Sequence, residues 1–280
     1  MKVKVVTDSG SDITTEAARR LGITVVPVYL RFGDKVYRDG VDIAPDEFYA
    51  KLVSSSVHPF TSAPSAGDFV QTYKEVARDT DHIVSIHITR RHSGIYDSAL
   101  LGSKMVEKTG CRIEVIDSQG VTMWQGLVTL AAARAAEAGY KLHQVVEAVH
   151  EAIGQMRALA LLGTVKYAVK GGRIGKAIST VESILNLKAL LTLRNGELRP
   201  AGLVRTRGKG IERLCEFIRS TFPIGELAIV YSTTPEDAQK LADYVACLLP
   251  NMVPAIVRLG PALGVHAGPG ALIAIIRQAK

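Results

Sequence analysis

Short apolar runs with strand alternation and longer runs with helical spacing follow one another along this chain in a regular order. Val3 to Thr7 is a β-branched run that ends in the loop composition Asp8-Ser9-Gly10-Ser11-Asp12. Thr15 to Leu21 has helical spacing and stops at Gly22, and Ile23 to Leu30 reads as a second strand. Pro45, followed by acidic residues, opens a helix over Asp46 to Val53. Ser65, with Asp68 completing a cap, starts a helix that runs to Arg78. His82 to Ile88 is a strand, Tyr96 to Lys108 a helix, Arg112 to Ile116 a strand, and Val121 to Ala138 a long helix.

That alternation predicts βαβ units and a parallel sheet, with right-handed crossovers placing helices on both faces. After a helix over Leu142 to Met156 the pattern changes. Lys188 to Arg194, Asn195-Gly196 and Glu197 to Val204 spell a β-hairpin, because both turn residues tolerate positive φ. Strands follow at Leu227 to Tyr231, Ala255 to Leu259 and Ala271 to Ile276, with helices near Lys209–Thr221 and Glu236–Leu248. The fold class expected is therefore α/β. A Rossmann-like α/β/α domain with a parallel sheet spans 1–157, and a second, mixed α/β domain spans 158–280. The length of 280 residues agrees with two domains of roughly 100–200 residues each.

Composition narrows the partners. The net charge of +7 favours acidic ligands or a simply basic surface, and Lys and Arg are scattered without a long basic run. Cys111, Cys215 and Cys247 are widely spaced, which argues against a disulfide framework or a zinc site and for a reduced, cytoplasmic setting. The chain opens directly on a strand, without an apolar signal-like core. No apolar run approaches the roughly 20 residues that span a bilayer.

In open α/β sheets ligands bind beyond the carboxyl ends of the strands, so the residues after each strand matter most. Four segments are rich in hydroxyls: Asp8-Ser9-Gly10, Thr61-Ser62-Ala63-Pro64-Ser65, Thr89-Arg90-Arg91-His92-Ser93-Gly94 and Asp117-Ser118. Hydroxyls and free amides at helix N-termini favour anions, and Gly94 permits close approach of the backbone. The plainer reading is that each Ser or Thr caps its own helix. Two further turns stand out. Gly171-Gly172-Arg173-Ile174 carries an arginine suited to a carboxylate or phosphate, and the run from Gly260 to Gly270 reads as a tight loop presenting His266 between glycines.

Together these segments resemble the DegV family of bacterial fatty-acid-binding proteins. The resemblance rests on Val6-Thr7-Asp8-Ser9, Thr61-Ser62-Ala63-Pro64-Ser65, Ser93-Gly94-Ile95-Tyr96-Asp97-Ser98-Ala99, Asp117-Ser118, Lys170-Gly171-Gly172-Arg173-Ile174 and His266-Ala267-Gly268-Pro269-Gly270, in the family's order. It implies one bound long-chain fatty acid of about C14–C18, such as palmitate, with its head group at an interdomain cleft. It implies that Thr61, Ser93, the amide of Gly94, His266 and Arg205 hold the carboxylate, with Arg207 as the second choice for the arginine. Some members serve as the acyl-binding subunit of a two-component fatty acid kinase, whose separate ATP-binding subunit would meet Arg173. A cytoplasmic, monomeric lipid carrier with transient membrane-surface contact follows, without catalytic residues, cofactor, metal or nucleic acid.

The sequence departs from the family's usual pattern at Arg90, Arg91, His92, Ile95, Ala267 and Trp124, which leaves acyl-chain length open. Two other classes compete. A hydrolase could pair Ser93 with His266 and use Asp8 or Asp117 to orient the histidine, but no G-x-S-x-G elbow is present. A nucleic-acid binder could use Arg205-Thr206-Arg207-Gly208-Lys209, but no reading motif accompanies it. There is no Walker A or G-x-G-x-x-G segment for a nucleotide. His82 and His87, five apart on a strand, face opposite ways and make a poor metal pair.

Overall fold

The computed structural model describes residues 2–106, 110–173 and 187–280. Strand β1 (Lys4–Asp8) leads through a single 3-10 turn to α1 (Thr15–Leu21), which Thr14 caps and Gly22 ends at φ +64°. The run predicted as one strand from Ile23 to Leu30 is two strands in two sheets, β2 (Ile23–Val26) and β3 (Tyr29–Phe32). Pro27 lies between them; it has no N–H for a ladder, and the Val28 amide turns to Ser9 Oγ at 3.0 Å instead. Next come β4 (Lys35–Arg38), α2 (Pro45–Ser54) and β5 (Phe60–Ser62). The strands β4, β3 and β5 form a three-stranded sheet that the sequence pattern did not announce.

The chain continues with α3 (Ala66–Val76), β6 (His82–His87), α4 (Ile95–Val106), β7 (Arg112–Asp117), α5 (Met123–Glu137) and α6 (Leu142–Gln155). Residues 107 and 108 of the predicted fourth helix lie outside the described residues. Then follow β8 (Met156–Leu161), α7 (Lys166–Lys170), β9 (Lys188–Arg194), β10 (Glu197–Val204), α8 (Arg207–Ser220), β11 (Ile224–Tyr231), α9 (Pro235–Leu248), β12 (Ala255–Arg258), α10 (Pro261–Ala267) and β13 (Leu272–Gln278). Met156 thus begins a strand rather than closing a helix. Its run Met-Arg-Ala-Leu-Ala-Leu suits a helix locally, but antiparallel pairing with both β9 and β13 imposes the strand.

Contacts divide the chain into two units: Met1–Tyr29 with Ser62–Gly154, and Leu30–Thr61 with Gln155–Lys280. Residues 30–61 therefore group with the C-terminal part, and the change of unit falls after residue 154 rather than 157. The first unit is a parallel sheet in the order β2-β1-β6-β7. Helices α1 and α5 pack together, as do α3 and α4, which covers the sheet on both faces. Buried Val5, Val6, Ile83, Val84 and Ile86 fill the middle.

The second unit holds a six-stranded sheet, β10-β9-β8-β13-β11-β12, antiparallel except for the β11–β12 pair. Helices α8 and α9 cover it through Leu214, Ile218, Leu241 and Val245. A separate cluster explains why residues 30–61 belong here: Leu30, Ile43, Phe48, Tyr49 and Leu52 pack around Val265 of α10.

Candidate functional site

The two glycine-flanked turns noted in the sequence meet in the second unit. The segment from Gly260 to Gly270, expected to be a loop, contains the helix α10, with Pro261 in its first turn and Gly268 at φ +70° after its end. Proline near the start and glycine past the end are the signals that could have revealed it. Three contacts seat this short helix. The Ala262 amide donates to Asp39 Oδ2 at 3.3 Å, the Tyr49 hydroxyl donates to the Leu259 carbonyl at 3.1 Å, and Gly264 lies against the rings of Phe48 and Tyr49.

That seating brings His266 to Thr61. The imidazole Nε2 and Thr61 Oγ1 are 3.1 Å apart, and both side chains are half-buried. The ring lies directly on Gly171, where a Cβ would come within 2.2 Å of Nδ1. The arginine of the same turn, Arg173, is exposed and donates from Nη1 to the Gly171 carbonyl at 2.8 Å, while Ile174 lies outside the described residues. His58 stands nearby in sequence, with its ring 5.9 Å from Tyr167 and 6.2 Å from Phe60. Burial, and then the positive charges of Lys170 and Lys166, push its imidazole below the ordinary value, so it is neutral at pH 7. Thr61 and His266 together offer a hydroxyl and an imidazole nitrogen to one anionic group.

Arg205 and Arg207 have different fates. Arg205 is exposed between β10 and α8, with no ion pair among the described residues. Arg207 donates from Nε to Asp237 Oδ2 at 2.9 Å, from Nη2 to Thr234 Oγ1 at 2.9 Å, and from Nη1 to the Gly270 carbonyl.

In the first unit, the segments after β1, β6 and β7 lie at one edge of the sheet, because these strands run parallel. Ser93 Oγ accepts from the Ile95 amide at 3.3 Å, and the Gly94 carbonyl accepts the first bond of α4 from Ser98 at 3.0 Å. A Cβ at Gly94 would meet nothing within 4 Å. Ser65 forms the full capping box with Asp68 and so serves its own helix. Arg90 turns outward to Asp97 at 3.3 Å and over the Tyr96 ring, and Trp124 is buried on Gly120 with its indole N–H on the Ser118 carbonyl at 3.0 Å.

Sequence reasoning missed a buried polar chain. The Tyr73 hydroxyl donates to Ser85 Oγ at 2.8 Å, Ser85 lies 2.7 Å from His87 Nε2, and His87 Nδ1 lies 2.9 Å from Asp8 Oδ2. The Asp8 carboxylate also accepts from the Gly10 and Ile88 amides and from Gln125 Nε2, each within 3.1 Å. All of these side chains are fully buried. Single-residue spacing on β6 places Ser85 and His87 on one face; only the fold supplies Tyr73 and Asp8. Asp8 is thereby engaged, and Asp117 Oδ1 accepts from the Gln119 amide at 2.8 Å, so each acid that could have oriented a hydrolase histidine has its own local partners.

His82 bonds Asp81 at 2.8 Å on the face opposite His87. Among the described residues no group of three or more His, Cys, Asp or Glu is placed to hold a metal ion, and no helix is long and apolar enough to cross a membrane.

Comparison with known proteins agrees with this architecture. The family model described as "Uncharacterised protein, DegV family" matches residues 2–278. A DegV domain-containing protein of Caldanaerobacter subterraneus is 33% identical over 273 residues, covering 96% of each chain. One of Deinococcus radiodurans is 32% identical over 97% of each chain. Among solved structures, the fatty-acid-binding DegV family protein of Thermus thermophilus superposes with a TM-score of 0.89 at 29% identity over the full length of both chains. The fatty-acid-binding DegV of Bacillus subtilis gives 0.91 at 26% identity over 99% of both chains, and a stearic-acid-binding protein of Eubacterium ventriosum gives 0.91 at 26% over 98%. With nearly every residue matched by the family model, and with both sheets in place, the chain belongs to the DegV family.

Proposed function

We propose that this protein binds one long-chain fatty acid, of about C14–C18, and acts as a lipid carrier. The observation that carries the reading is the Thr61–His266 pair, 3.1 Å apart and braced by Gly171. It is a half-buried hydroxyl–imidazole pair built by three separate stretches of chain. Ser93, the amide of Gly94 and Arg205, which has no ion pair among the described residues, are the further donors proposed for the carboxylate. Relatives of this fold bind fatty acids, stearic acid in one case.

Energetics favour an acyl ligand. A C16 tail offers roughly fourteen methylenes at about 0.8 kcal/mol each, on the order of 11 kcal/mol of gross burial. Lost translational freedom and tail ordering cost about 4–15 kcal/mol. The polar groups then choose an acid over a neutral lipid and set its direction. In this reading the protein is cytoplasmic and monomeric, touches membrane surfaces transiently, and presents the acid to an ATP-binding kinase subunit through the exposed Arg173. It performs no chemistry by itself.

Native mass spectrometry of the purified protein, with extraction of bound lipid, tests the reading. One co-purified fatty acid is expected, and a protein that stays empty when offered C14–C18 acids refutes it. Thr61→Ala combined with Ser93→Ala is expected to weaken binding without unfolding; unchanged affinity removes these residues from the head-group site.

A further inference from the structure

We infer that Arg207 is a positioning residue for His266 rather than a contact of the bound carboxylate. The inference rests on the reading of His266 as a head-group residue. Arg207 opens α8, with Thr206 capping that helix. Its guanidinium is spent on protein groups on every side: the Asp237 carboxylate, the Thr234 hydroxyl and the Gly270 carbonyl. Its side chain is 24% exposed and that of Asp237 10%, so the ion pair is largely shielded from water.

The Gly270 carbonyl belongs to the turn that leaves α10. This turn is held from several directions at once. The Gly270 amide donates to Thr233 Oγ1 at 2.9 Å, and the Ala271 amide to Ser232 Oγ at 2.8 Å. Gly268, at φ +70°, lies on the Tyr167 ring, where a Cβ would come within 2.3 Å. Pro269 and Gly270 press on the backbone of Gly163. Arg207 ties this turn to the first turns of both α8 and α9. Two residues before Gly268 stands His266, which the turn holds between Thr61 and Gly171. A lysine at 207 could keep the charge facing Asp237, but a single ammonium cannot reproduce the planar fork that spans three acceptors.

The test reads His266 directly. Nitrogen-15 and proton NMR of the ligand-free full chain follow the His266 ring in the wild type, Arg207→Lys, Thr234→Val and Ile218→Val. Palmitate affinity is measured on the same samples. Arg207→Lys is expected to move the His266 ring signals and to weaken palmitate binding about tenfold, equivalent to about 1.4 kcal/mol. Thr234→Val, which removes one acceptor and leaves the ion pair, moves the same signals less. Ile218→Val, a core change where the other end of α8 packs on the sheet, moves neither signal nor affinity if positioning is specific.

Unmoved His266 signals in both Arg207→Lys and Thr234→Val overturn the inference, and unmoved signals with lost binding reassign Arg207 as a ligand contact. Equal shifts in Ile218→Val reduce the effect to general stability and also overturn it. Failure of the wild type to bind palmitate refutes the proposed function alone, because the His266 signals still decide the positioning.

Discussion

Adjacent glycines at the end of α7 should respond to the same substitution in opposite ways. Gly171 has φ −72° and ψ −11°, which alanine adopts freely, so Gly171→Ala gains about 0.4–1 kcal/mol from a less flexible unfolded chain. The new methyl, however, would sit 2.2 Å from His266 Nδ1. The ring must retreat by at least about 1.2 Å to reach ordinary contact at 3.4 Å, and the 3.1 Å approach to Thr61 then passes out of hydrogen-bonding range. Losing one hydrogen bond to a charged carboxylate costs roughly 1.5–3 kcal/mol, or about ten- to a hundredfold in Kd. Gly172 has φ +66° and open space around it, so Gly172→Ala costs about 1–2 kcal/mol of backbone strain and leaves His266 in place.

Urea unfolding and palmitate titration of both variants give the two readouts. The expected pattern is stability kept and affinity lost at 171, with stability lost and affinity kept at 172. Wild-type affinity in Gly171→Ala, or the same phenotype at both positions, refutes the reasoning.

His87→Ala removes the centre of a fully buried chain and leaves Asp8 and Ser85 short of a partner; a loss of about 3–5 kcal/mol is expected in urea unfolding, and a loss below about 1 kcal/mol would contradict the network. In Asp42, hydrogen bonds from the Arg38 side chain and then from its backbone hold the carboxyl down at about 2 instead of 3.8. A depressed carboxyl contributes stability above its ordinary value and loses it as pH falls towards 2, so carbon-13 NMR should find Asp42 ionised at pH 3, and Arg38→Ala, which keeps the backbone donor, should move its midpoint only part of the way back towards 3.8.

Much of the architecture could be read from local pattern, and the reasons are particular. The α1 boundaries follow from a Thr cap and a left-handed Gly22, and the β9–β10 hairpin from Asn195-Gly196, whose positive φ values of +50° and +78° only such residues accept readily. The Ser65–Asp68 cap was equally visible. These signals are local: they bind a residue to neighbours a few positions away. What failed depends on distant partners. The strand β8 exists because β9 and β13 flank a stretch of Ala and Leu that could as well be helical.

The order of candidate residues along the chain pointed to Thr61, Ser93, Gly94, Arg205 and His266, but not to their surroundings. Only the fold shows that residues 30–61 join the C-terminal part, where Phe48, Tyr49 and Leu52 form the bed of α10 and carry Thr61 to His266 across 205 positions of sequence. Only the fold shows the different surroundings of the two arginines, of which the sequence ranked Arg205 first, because Arg207 finds Asp237, Thr234 and Gly270 while Arg205 stays free of ion pairs among the described residues. Helix caps and tight turns are chosen by a residue and its immediate neighbours, so sequence alone determined the elements that carry such signals. Which side chains come within reach of one another is chosen by packing between segments far apart in the chain, and that was decided by the tertiary structure.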